Sequence, residues 1–282
     1  MSFLDKKFLV NLYSKYNNEL CSDRFQSMCY SGDGQLDGNI SHLDGELIYL
    51  LIRELNLQNG IEFSSGSGFS TAFVVEGLRK NRSDRFATFD LERGDSFNDR
   101  SIKFNFVKYF YHEEAILGIL KYIHNQTFVG QIDLLVVDSC HEGWFAQKYT
   151  RQIWPLLSPN CIIFIHDMCY KCMNLNQFSN YGLVHPSEIC GTSFSKGEAE
   201  VLRNYFGNID NDYVMFSTHR MFGQSHDYST ELPRNNELCE SIFKVYPKFQ
   251  FPACQLSGGS PRPPMSLVTL KSNSWGALES IY

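Results

Sequence analysis

The stretches Ile132-Asp133-Leu134-Leu135-Val136-Val137 and Cys161-Ile162-Ile163-Phe164-Ile165 narrow the possible folds most. Each is short, rich in β-branched residues and almost without polar alternation. A strand with one wet face alternates apolar and polar side chains, whereas a strand covered on both faces has no need to. These two runs therefore predict central strands of a parallel sheet. Parallel neighbours must be joined by long crossovers, usually helices, and the surrounding chain supplies that rhythm. Strand patterns at 60–63, 86–89 and 103–109 are interleaved with helical patterns at 70–80, 113–125 and 144–154. The expected class is α/β, a Rossmann-like doubly wound sheet. A helix over 196–206 and strands at 213–217 and 266–270 extend the pattern.

Outside that core the reading is coarser. Phe3, Leu4, Phe8, Leu9, Leu12 and Tyr13 fall at helical spacing and predict a helix over 3–20. Ser41 or Asp44 is placed to cap a second helix that carries Leu47 to Leu55. Residues 1–45 are thus expected to form an N-terminal helical cap on a domain spanning 46–282. Within that domain, 168–195 has no clear period and reads as a lid, and 223–265 reads as a polar, proline-containing insert.

Two segments carry chemistry. In Glu62-Phe63-Ser64-Ser65-Gly66-Ser67-Gly68 a strand runs into a glycine turn and then a helix. Such a turn lets backbone approach a nucleotide-like ligand without a Cβ in the way. About 20 residues on, the next strand ends in Asp90, the spacing at which an acid accepts hydrogen bonds from ribose hydroxyls. The second segment is a pair of strand ends. Asp138-Ser139-Cys140-His141 follows the fourth strand and His166-Asp167 follows the fifth. Neighbouring strands lie about 5 Å apart, so Asp138 and Asp167 are expected to converge. A lone aspartate there often only caps the next helix; two strand ends that each bear Asp and His are harder to explain as caps.

Composition excludes several classes. A formal net charge of -6 argues against a nucleic-acid footprint, and the basic run Arg79-Lys80-Asn81-Arg82 reads as a solvated helix end. No apolar run reaches membrane-spanning length, and the first residues lack a signal-peptide core, so a cytoplasmic protein is expected. The nine cysteines are read as reduced thiols. Cys169 and Cys172 have the spacing of half a zinc site, with no second close pair to complete it.

Together, the 62–68 turn, Asp90, Asp138-Ser139-Cys140-His141 and the stretch from Leu156-Leu157-Ser158-Pro159 to His166-Asp167 resemble class I S-adenosylmethionine-dependent methyltransferases. The likeness covers about residues 45–167 and is nearest to the small-molecule and sugar O-methyltransferase-like group. That group ends strand four in Asp-x-x-His and strand five in His-Asp. The resemblance implies seven strands in the order 3-2-1-4-5-7-6 with the last strand antiparallel. It places Glu62, Ser64, Gly66 and Gly68 along the methionine part of the cofactor, Asp90 on the ribose and Tyr111 and His112 beside adenine, with Asp138 also at the cofactor. The chain departs from the pattern at Ser64, where the first glycine usually stands. It departs again at Pro159-Asn160-Cys161, where Pro-Gly-Gly is usual; Asn160 is expected to tolerate a left-handed turn there.

Methyl transfer from a sulfonium is an in-line displacement, and a hydroxyl acceptor must also lose a proton. His141 is the candidate base, with Asp138, His166 and Asp167 completing the catalytic set. Alternatively, Asp138 and Asp167 hold Mg²⁺, which lowers the acceptor's pKa. The expected partner is a small hydroxylated methyl acceptor, with self-association into a homo-oligomer open. Two rivals remain at this point: an NAD(P)-dependent oxidoreductase, although no complete Gly-x-Gly-x-x-Gly is present, and a catalytically degenerate methyltransferase fold serving as a binding module.

Overall fold

The computed structural model describes residues 6–30, 40–66, 68–90, 107–110, 115–170, 185, 187, 189–191, 195–208, 213–218, 236–248 and 267–271. Its centre is a mixed sheet in a Rossmann-like α/β fold. The strands are β1 (Asn59–Phe63), β2 (Arg85–Phe89), β3 (Val107–Phe110), β4 (Leu134–Val137), β5 (Ile162–Ile165), β8 (Tyr213–Ser217) and β9 (Leu267–Lys271), in the order β3-β2-β1-β4-β5-β9-β8. Pairing is parallel from β3 to β5, and β9 runs antiparallel to both its neighbours. β4 and β5 lie side by side in the interior, every residue buried, as their uninterrupted apolar runs require.

Alternation along each strand divides two apolar layers. Leu134, Val136, Ile162 and Phe164 face one side, with the helices α1 (Lys6–Leu20), α2 (Asp23–Cys29), α3 (His42–Glu54) and α4 (Phe69–Lys80). Leu135, Val137, Ile163 and Ile165 face the other, with α5 (Ala115–Asn125), α6 (Gly143–Gln152) and α7 (Lys196–Asn208). In α3, residues 42–52 are all buried. Its N-cap is Ser41, whose hydroxyl accepts from the Asp44 amide, so of the two candidates Ser41 is the cap.

Two segments differ from the sequence reading. Residues 168–195 contain a short antiparallel hairpin, β6 (Met168–Tyr170) with β7 (Ile189–Gly191), which three-residue strands are too short to reveal as a period. Within 223–265 lies the helix α8 (Asn236–Val245), which buries Leu238 and Ile242 in the layer shared with α1. The surrounding prolines and polar residues hid its one apolar stripe. α2 was also not anticipated. Among the described residues, no helix is long and apolar enough to cross a membrane.

Candidate active site

Every group of interest sits at the carboxyl ends of the parallel strands. The ladder continues one residue past each of three strands: Ser64 N–H donates to Phe89 O, Asp138 N–H to Phe63 O and His166 N–H to Val137 O. Each loop therefore leaves the sheet at a defined height.

The glycine turn is shaped by three left-handed residues, Ser64 (φ 63), Gly66 (φ 48) and Gly68 (φ 78). Ser64 thus adopts the conformation that a glycine would take more cheaply, and its hydroxyl is directed at Asp90. Asp90 Oδ2 accepts from the Gly66 amide at 3.0 Å and from the Ser64 and Ser65 hydroxyls at 3.3 and 3.4 Å. A Cβ added at Gly66 would meet nothing within 4 Å, so the turn borders open space. Glu62 is turned inward. Its two oxygens accept from Ser70 and Thr71 at 2.7 and 2.6 Å, fastening the first turn of α4 to β1. Burial raises its carboxyl to about 7 against the pull of those hydroxyls. Asp138 adds to that rise, so the turn and the strand-four end share one electrostatic neighbourhood.

At the second focus, Asp138, His141 and Asp167 bring side-chain atoms within 4.8 Å of one another. His141 Nε2 is 3.3 Å from Asp167 Oδ2. His166 Nδ1 lies 3.0 Å from Asp138 Oδ1 and 3.6 Å from Asp167 Oδ1. His166 is buried, which opposes its charge, but Asp138, Asp167 and Asp44 outweigh burial and raise its pKa to about 10. It is therefore an imidazolium at neutral pH, donating to Asp138. Asp44 belongs to the first turn of α3, where Ser41 and Thr218 hydroxyls bond it at 2.7 and 2.6 Å.

His141 has a partner that the sequence did not point to. Its Nδ1 is 2.7 Å from Oε2 of Glu198, a fully buried carboxylate on α7, whose Oε1 accepts from Tyr149 at 2.8 Å. Burial works against charge on His141; the Glu198 hydrogen bond and charge, then Asp167 and Asp138, reverse that and raise its pKa above 6.5. Burial also raises the Glu198 carboxyl. Each group therefore holds a proton more firmly than in water, His141 because of Glu198 and Glu198 because of burial.

The donor chemistry fits Mg²⁺ poorly. That ion prefers an octahedron of oxygens, and one of the three clustered donors is an imidazole nitrogen. The repulsion between Asp138 and Asp167 that invited a cation is already relieved by the protonated His166. Tyr111 and His112 lie outside the described residues. Asn160 needs no left-handed backbone; its amide donates to Ser158 Oγ at 3.2 Å.

Residues 61–168 match a protein-family model described as a methyltransferase domain, a span that runs from the glycine turn to the His166-Asp167 pair. That span of the chain is similar to a methyltransferase domain. No curated protein sequence matches the chain. Solved structures similar to it include the O-methyltransferase TomG from Streptomyces achromogenes, involved in tomaymycin synthesis and in complex with SAM. It has 14% identity over 93% of this chain and 88% of that one, with a TM-score of 0.48. An O-methyltransferase from Bacillus cereus in complex with SAH has 11% identity over 93% and 99%, with a TM-score of 0.49. The plantazolicin methyltransferase BpumL in complex with SAH has 13% identity over 94% and 97%, with a TM-score of 0.45. At identities and TM-scores this low, the likenesses carry no functional weight for this chain.

Proposed function

We propose that the protein is an S-adenosylmethionine-dependent methyltransferase that methylates a hydroxyl of a small molecule, a metabolite or a sugar. The observation that carries this reading is the Asp138–His141–Asp167 cluster at the carboxyl ends of the parallel strands, the same ends as the glycine turn, within a span that matches a methyltransferase-domain model. The strand order with antiparallel β9 supports the same reading, as does the open space at Gly66.

In this proposal the cofactor, when bound, supplies a methyl group on a sulfonium. The chain's residues do the rest. The Ser64–Gly68 turn admits the methionine part through its small and left-handed residues. Asp90 exchanges part of its bonding to the turn for the ribose hydroxyls. Asp138, Asp167 and His166 form a fixed polar wall that orients the acceptor hydroxyl on the methyl axis. His141 Nε2 takes the acceptor proton, which requires His141 to have released its resting proton first. No step is assigned to a metal.

The test is a mass-spectrometric screen of hydroxylated small molecules with S-adenosylmethionine, run with Mg²⁺ and with EDTA. The expected outcome is a methylated product whose yield EDTA leaves unchanged. Loss of turnover in EDTA that Mg²⁺ restores would return Asp138 and Asp167 to a metal role. Tight cofactor binding with no product from any acceptor would favour a binding module. Calorimetric binding of NAD(P) in place of S-adenosylmethionine would favour an oxidoreductase.

A further inference from the structure

The first turn of α7 grips both strand-end loops. Ser195, just before the helix, donates its hydroxyl to Asp167 O at 2.6 Å. Asp167 has φ 55, a left-handed conformation costly for a non-glycine residue, so this bond holds a strained loop in place. Three residues on, the Glu198 amide donates to His141 O at 3.2 Å while the Glu198 carboxylate bonds His141 Nδ1 at 2.7 Å. Main chain and side chain of one residue thus hold main chain and side chain of another. Between them, Gly197 and Gly143 meet backbone to backbone: a Cβ on Gly197 would stand 2.8 Å from the Gly143 nitrogen, and a Cβ on Gly143 would stand 3.1 Å from Gly197 O. Only glycine allows α7 to come close enough for Glu198 to reach His141.

We propose that Glu198 is the positioning residue for His141, and that the Gly143–Gly197 contact is the device that delivers it. Glu198 acts through His141 and does not touch the acceptor. By accepting from Nδ1 it fixes the tautomer in which Nε2 is the nitrogen that exchanges a proton with the acceptor, on the side facing Asp167. Tyr149 locks the carboxylate by donating to its second oxygen. The inference rests on the reading of His141 as the acceptor's base, but its structural half is independent of that reading.

The test uses the full chain. The ¹⁵N spectrum of His141, assigned by its loss in His141→Gln, is expected to place a proton on Nδ1 in the wild type and to lose that signature in Glu198→Ala. With an acceptor found by the screen above, Glu198→Ala and Gly197→Ala are expected to lower kcat about 10- to 100-fold. That is less than the about 10²- to 10⁴-fold that a general base contributes. Cofactor affinity is expected to stay within about twofold of wild type, and Glu198→Gln to recover part of the rate, since its amide oxygen still accepts from Nδ1–H. Tyr149→Phe retains the Glu198 carboxylate but removes its lock and is expected to give a smaller fall, so the proposal is readable even if Glu198→Ala does not fold. The proposal is overturned if the folded Glu198 or Tyr149 variants leave both the His141 spectrum and kcat unchanged. If instead the spectrum changes while kcat does not, Glu198 orients His141 but His141 is not the base, and the reading of the reaction fails.

Discussion

In the proposed reading, Asp90 is a carboxylate held ready to exchange its bonds. Its Oδ2 rests on one backbone amide of the turn at an ordinary 3.0 Å and on two hydroxyls at the long end of hydrogen-bond distance. A hydrogen bond to a charged acceptor is worth about 1.5–3 kcal/mol. Asp90→Ala is therefore expected to weaken S-adenosylmethionine binding by about tenfold or more in calorimetry; a folded variant with wild-type affinity would remove Asp90 from the site. The base proposed here, His141, is prepared differently. The Glu198 hydrogen bond raises the pKa of His141, so its basic form appears at higher pH than that of an ordinary imidazole. kcat is expected to climb through that raised pKa, and Glu198→Ala, which removes the largest raising cause, to shift the climb to lower pH. A rate that is flat or falls between pH 6.5 and 9 would rule out His141 as the proton acceptor. The sequence named His141 from its company at a strand end, but its chemistry depends on Glu198, 57 positions away, for which no local motif exists.

Among the elements, α3 and α4 form the seam under the glycine turn, and aromatic rings fill it. Phe73 of α4 is fully buried, with Phe25, Tyr30 and Phe69 around it at centroid distances of 5.8, 5.9 and 5.3 Å. His42 joins this group, stacked on Tyr30 at 4.8 Å and edge-on to Phe69 at 5.1 Å. Phe73→Ala leaves a cavity that three rings cannot easily collapse into, and is expected to cost about 3–5 kcal/mol in urea unfolding. A loss below about 1 kcal/mol would mean that the seam repacks. The elements themselves were largely legible. β1, β2, β4, β5, β8 and β9 fall within two residues of their expected bounds because strands rich in apolar and β-branched residues announce themselves in a few contiguous residues. The β6–β7 hairpin and α8 were not, because a three-residue strand has no period and an amphipathic helix set among prolines loses its outline.

The two ends of the chain meet on one buried carboxylate. Glu46 of α3 accepts from Tyr13 of α1 at 2.9 Å, from Tyr246 just after α8 at 3.1 Å, and from Tyr30 at the end of α2. Burial raises it to about 7, with the three hydroxyls pulling the other way. Its folded pKa exceeds the ordinary 4.5, so the folded state binds the proton more tightly than the unfolded chain. The stability this contributes is full below about 4.5 and is lost as pH rises through about 7. The shift sets an upper limit of about 3 kcal/mol on that loss. Glu46→Gln, which mimics the protonated form, is expected to gain on the wild type between pH 5 and pH 8 in urea unfolding. A stability difference independent of pH would place the charge elsewhere. The contrast with the sheet is instructive. Strand runs, the left-handed turn at Ser64 to Gly68, and the acids and histidines at strand ends are encoded by neighbours in the chain, where alternation, backbone conformation and spacing act locally. For that reason the α/β class and the members of the cluster could be read from the residues alone. The charge on His166, the orientation of His141 by Glu198 and the knot of tyrosines on Glu46 join positions 16 to 200 residues apart. Packing alone brings such groups within hydrogen-bond reach, and burial then sets the strength of their interactions.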